Sequence, residues 1–190
     1  MEERVFKLRA WSFLGTALGG FLLALGSLLT WATIGFSRGL VGPATKVAGI
    51  DMVEGLGDLV LGVLIVLAIF AMRKVATKAK RILAIVILVF ALAGGALAGA
   101  ALLRGDTRFL EVGTQNASAD ISAATGLPQE GVEQVAEASS GFATIQIGIG
   151  VWITLGGAPI AFVGGLASRR WIRVREEWLA QKEAERSETG

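Results

Sequence analysis

Apolar residues in this chain come in long uncharged runs, with neither strict alternation nor a heptad repeat. Trp11–Trp31 has 21 residues without a charge, Ile82–Leu103 has 22 and Ala143–Ala167 has 25. Met52–Met72, also 21 residues, is interrupted only by Glu54 and Asp58. At 1.5 Å per residue, a 21-residue helix is about 31 Å long, enough to cross a hydrocarbon core of roughly 30 Å. The pattern therefore predicts an all-α membrane protein, a single bundle of four transmembrane helices over 11–31, 52–72, 82–103 and 143–167. A secretory signal would need only about 7–15 apolar residues and then a small-x-small cleavage site. Trp31-Ala32-Thr33-Ile34 offers none, so the first helix is expected to stay.

The connections divide into outer loops at 32–51 and 104–142 and a tail at 168–190. In the first loop, Thr33-Ile34 and Lys46-Val47 are expected to pair as a short β-hairpin, because β-branched residues flank the Gly39–Pro43 punctuation. Asp51 followed by Glu54 marks a helix start. Pro128 suits the first turn of a short helix reaching Ala138. The fourth span would be about 37 Å long and so tilts, bends or projects, with Pro159 as its expected kink.

Charge orients these elements. Fourteen of the 18 Lys and Arg lie in the first ten residues, the 73–81 turn and the tail; four lie in the two outer loops. The turn holds Arg73, Lys74, Lys78, Lys80 and Arg81 with no acid among them. By the positive-inside rule, both termini and this turn are expected on the cytoplasmic side. Composition narrows the chemistry: with no Cys and no His, the usual zinc, iron–sulfur, His-ligated haem and thiol chemistries have no ligands here. No cofactor, no metal site and no catalytic residue are expected. The basic residues orient the chain at the bilayer, so no nucleic-acid partner is expected either.

Small residues recur at four-residue spacing on three helices: Gly15 and Gly19; Ala91, Gly95 and Gly99; Gly157, Ala161 and Gly165. In lipid such faces allow close helix approach, so these are the expected contacts. Asp58 is the one acid well inside a span. It lies about 22 Å from the basic turn, and Ser27 and Thr154 lie at the same depth. Intramembrane acids usually face inward and find partners. The expectation is an intramembrane polar cluster in which Asp58 hydrogen-bonds Ser27 or Thr154. In the tail, Trp171 and Trp178 share a face with Arg169, Arg170 and Arg173 around them, a pattern for a helix lying on an anionic lipid surface or for a solvated end that continues the fourth span.

Gly26-Ser27-Leu28-Leu29-Thr30-Trp31 and Gly148-Ile149-Gly150-Val151-Trp152 resemble stretches of small four-span membrane proteins common in actinobacteria. The four-span layout with a strand-paired outer loop also resembles the plan of claudins, without their paired loop cysteines. The resemblance implies a bacterial multi-pass protein and carries no activity with it. The function expected from the sequence is a non-enzymatic structural or accessory subunit. Its partners would be the lipid bilayer and a larger membrane complex or a second copy of itself. A small transport or cation-responsive protein using Asp58 is the alternative.

Overall fold

The structure, a computed structural model, describes residues 2–36, 44–140 and 143–189. Its elements follow in the order α1 (Glu2–Leu28), β1 (Thr30–Phe36), β2 (Thr45–Ala48), a 3-10 turn (Gly49–Asp51), α2 (Val53–Ala71), α3 (Thr77–Leu103), α4 (Gly105–Thr125), α5 (Gln129–Ser140), β3 (Ala143–Ile147) and α6 (Ile149–Thr189). Helices α1, α2, α3 and α6 are each long and apolar enough to cross a membrane. Their outward faces expose Leu14, Phe21, Leu67, Leu92 and Val163, an apolar surface suited to lipid.

Glycine sets how the helices meet. A methyl group added at Gly19 would lie 2.6 Å from Ala161 Cα, and one at Gly157 would lie 2.8 Å from the Leu23 nitrogen. Gly15 faces Gly164, and Gly26 faces Thr154. Numbers rise along α1 as they fall along α6, so the two helices run antiparallel with backbones nearly touching. Helices α1 and α2 cross similarly where Gly62 meets Ala24. On α3, Gly95 faces Ala158, while Gly165 of α6 packs on Leu88. Gly99 departs from expectation: no described atom lies within 4 Å of where its side chain would begin. The α3 stripe turns away from its neighbours before reaching it. Leu23, Ile65, Ile87, Ala91 and Ala161 fill the middle of the bundle.

Both chain ends and the basic turn share one end of the bundle. The Ser12 and Ser168 hydroxyls are 2.5 Å apart, and Arg81 pairs with Glu176. The opposite end carries a three-stranded sheet in the order β2-β1-β3, antiparallel throughout. Thr33 pairs with Lys46 and Ala32 with Val47, the hairpin the β-branched arms predicted; its tip, Gly39–Pro43, lies outside the described residues. The register shifts between Thr30 and Ala32. Trp31 sits in that shift, fully buried, and its indole nitrogen donates to the Gly26 carbonyl at 2.9 Å. It is a core residue of the cap; Trp11, at the other end of the first apolar run, is exposed.

Two expectations need correction. The fourth helix starts at Ile149; Ala143–Ile147 is the strand β3, paired along β1 from Phe36 to Ala32. Thr144, Ile145 and Ile147 are β-branched and suit a pleated ladder, and the Gly148 nitrogen then bonds the Trp31 carbonyl at 2.7 Å. The 104–142 segment, expected as a loop with one short helix, holds two helices, α4 and α5. Gly126, at φ 70, caps α4 in the left-handed conformation that favours glycine. Ser, Thr, Asn and Gly make α4 a weak helix by propensity; the sheet beneath it supplies the stability, with Phe109 and Ser118 fully buried. Helix α6 runs for 41 residues, about 61 Å, with Pro159 inside it, so the long fourth helix projects. The tail continues the fourth span because no helix breaker follows Ala167.

Candidate functional site: a buried carboxyl pair

The buried positions of α2 are Glu54, Gly55, Asp58, Gly62, Ile65, Ala68 and Ile69, a single face repeating every three to four residues. Its lower part is apolar or glycine and packs on α1 and α3. Its upper part carries two carboxyl groups one turn apart. Asp58 is fully buried and Glu54 is 9% exposed. Neither oxygen of Asp58 has a hydrogen-bond partner among the described residues, nor has Oε2 of Glu54. Buried polar groups are nearly always paired, so three unpaired carboxyl oxygens on one face require an explanation.

Gly94 makes room for the Asp58 head. A methyl group there would lie 3.2 Å from Asp58 Oδ1 and 3.1 Å from Leu23 Cδ2, so the carboxyl sits between α1 and α3. One turn toward the bundle centre, the Gly20–Gly62 approach closes the helices together. On the other side lie the residues that seat the sheet, among them Trp31, Met52, Ala98 and Val151. The pair thus lies between two apolar layers, the bundle core and the cap core.

Ser27 and Thr154 are both fully buried, as Asp58 is. The expected hydrogen bond from either hydroxyl to Asp58 is absent. Ser27 Oγ donates to the Leu23 carbonyl at 2.8 Å, and Thr154 Oγ1 donates to the Gly150 carbonyl at 3.0 Å. A helical Ser or Thr meets the carbonyl four residues back without moving, and that bond uses its one proton. Thr154 is also held by α1: a methyl group at Gly26 would lie 2.7 Å from its nitrogen. Asp51 joins neither the pair nor the cap of α2. It is exposed, and its Oδ2 accepts from the Ala48 nitrogen at 2.8 Å across the 3-10 turn.

Chemically, the pair offers acceptors and no fixed donor. Two like charges one helical turn apart repel each other, and a proton or a cation between them relieves that repulsion. A calcium ion takes about six to eight oxygens; among the described residues, no three of His, Cys, Asp or Glu gather as a metal site. Sequence reasoning placed Asp58 inside the span and Glu54 at the helix start, and did not bring the two together as a buried pair. The four-residue spacing of the two acids was the available signal. The role of Gly94 had no signal in the chain.

The tail residues singled out from sequence divide by face. Arg169, Arg170 and Arg173 are exposed, while Trp171 and Trp178 are half-buried and turned toward the first turns of α1. No protein-family model matches this chain, and no curated protein or solved structure matches it either.

Proposed function

We propose that this is a non-enzymatic multi-pass membrane protein in which Glu54 and Asp58 form a proton- or cation-responsive centre beneath the cap. The observation that carries this reading is the set of three buried carboxyl oxygens without a partner. Ionisable groups at membrane depth are expensive, and where they occur they usually mark ion or proton paths. The placement between two apolar layers supports a response: occupancy at the pair changes the repulsion between α2 and its surroundings at the point where the cap is seated. The 14-to-four bias of Lys and Arg supports an orientation with both termini and the 73–81 turn in the cytoplasm and the cap outside. The resemblance to small actinobacterial proteins supports a bacterial cytoplasmic membrane.

The test is a reconstitution. Purified chain in liposomes is subjected to pH and monovalent-cation gradients, with flux and amide exchange of β1–β3 as readouts. Asp58→Asn and Glu54→Gln are expected to abolish the flux or the cation dependence of exchange while leaving the helical signal unchanged. Wild-type protein with neither flux nor cation-dependent exchange overturns the reading.

A second reading, an accessory subunit acting through its outer segments, is favoured by a separate observation. Helix α5 packs chiefly on α4, and α4 in turn rests on the sheet, so α5 is the outer layer of the cap. Under this reading a stoichiometric larger complex, or a second copy, co-purifies after gentle extraction. Removing 127–140 then releases the companion without affecting insertion.

A further inference from the structure

At the end of the bundle opposite the carboxyl pair, four cations converge on one cavity. Arg9 of α1, Arg73 after α2, Lys80 of α3 and Arg175 of α6 line a space of about 240 Å³, with Phe13 and Trp171 between them. All four spans contribute, so the cavity exists only in the folded bundle. No carboxylate among the described residues pairs with any of these four cations; nearby, Lys7 pairs with Glu3 and Arg81 with Glu176. Arg9 and Arg175 lie close enough to Lys80 to repel it. Aromatic rings hold the charges in place instead. The Arg73 guanidinium lies 4.1 Å from the Phe13 ring centre, and Lys80 and Arg175 lie 5.6 Å and 6.0 Å from that of Trp171. The Trp171 indole N–H is buried and has no acceptor among the described residues.

Such a cluster is ordered for an anion that is not part of the chain. We propose that this cavity binds the phosphate-bearing headgroup of an anionic phospholipid. Arginine and lysine donate strong, charge-assisted bonds to phosphate oxygens, and the Trp171 N–H supplies a further donor. The shape of the surroundings favours a lipid over free phosphate. On the side toward the bilayer centre the same cavity is lined by Phe13, Ile69 and Met72, which lie deeper along α1 and α2 than Arg9 and Arg73. The charged chamber therefore borders apolar side chains on the side where a lipid's acyl chains would lie. It also stands at the end where both termini and the basic turn meet, the level of a bilayer's polar boundary. The site is independent of the carboxyl pair.

The experiment uses the full chain in detergent, titrated with phosphatidylglycerol, with phosphatidylcholine, and separately with inorganic phosphate, adducts being counted by native mass spectrometry. Phosphatidylglycerol is expected to be retained in preference to phosphatidylcholine, and inorganic phosphate is expected not to displace it. Lys80→Gln or Arg175→Gln should weaken retention by about fivefold each, the effect of about 1 kcal/mol per cation. Lys78→Gln, the same charge change outside the cavity, should leave it unaltered. Equal retention of both lipids overturns the proposal. So does equal loss with Lys78→Gln, which would mean general surface charge, and so does displacement by inorganic phosphate, which would assign the cavity to the free ion. The wild-type lipid comparison decides the matter even where a variant fails to fold.

Discussion

At the residue scale, Asp58 combines complete burial with two carboxyl oxygens unpaired among the described residues. A group held only for stability would be bonded. A buried polar group left unpaired costs about 1–3 kcal/mol. Asp58→Ala is therefore expected to raise the thermal midpoint in detergent, by the equivalent of about 1–2 kcal/mol after the lost volume is subtracted. The same substitution should remove any proton or cation response. A fall in midpoint would mean that the carboxyl is structural glue. Gly94→Ala reaches the same group from the other side, because its methyl would press on Asp58 Oδ1 at 3.2 Å. It is expected to alter the response with Asp58 itself intact, measured in the same liposome assay. Depth counting from the basic turn was enough to select Asp58, Ser27 and Thr154, since helical rise is fixed. It could not select their bonds. Whether a hydroxyl reaches across to another helix or back to its own depends on azimuth and side-chain rotamer, and a count of rise per residue contains neither.

At the element scale, the helices were readable and the sheet only half so. Long uncharged runs have one stable fate in lipid, and the hairpin arms carried β-branched residues on both sides of a glycine–proline break. Strand β3 was hidden because it abuts the last span and shares its apolar character. Nothing in Ala143–Ile147 taken alone distinguishes the end of a strand from the start of a helix; the partner strand, more than a hundred residues away, decides it. Helix α4 was hidden for the opposite reason, since its stability comes from the sheet beneath it and its own composition argues against it. Among the small residues, spacing identified the seams but not every member. Gly19→Val is expected to destabilise the bundle by about 1–3 kcal/mol or to block its assembly, because the new side chain would enter the Ala161 backbone. Gly99→Ala, with open space around it, should be neutral or slightly stabilising. Thermal unfolding of the two variants side by side checks both.

At the scale of the whole molecule, the charge bias and the fold agree on which segments share an end, and the remaining question is which end faces the cytoplasm. The chain contains no cysteine, so single cysteines can be introduced without background labelling. Thr125→Cys, at the end of α4, is expected to react with a membrane-impermeant maleimide in sealed right-side-out vesicles. Lys78→Cys, in the basic turn, should react only after the vesicles are opened. The reverse pattern would place the cap in the cytoplasm.

The pairing of β3 with β1, together with the close seam between α1 and α6, has a consequence for biogenesis. Of the four spans, the first to be made finds its main neighbour in the fourth. Until residues beyond 147 have been translocated, the Gly15–Gly26 face has no mate and the central strand lacks one flank. Insertion can proceed helix by helix, but closure of this bundle waits for the fourth span. A nascent chain arrested before Ile149 would then sit in the bilayer as an open ring, the form on which an insertase or a quality-control protease would act.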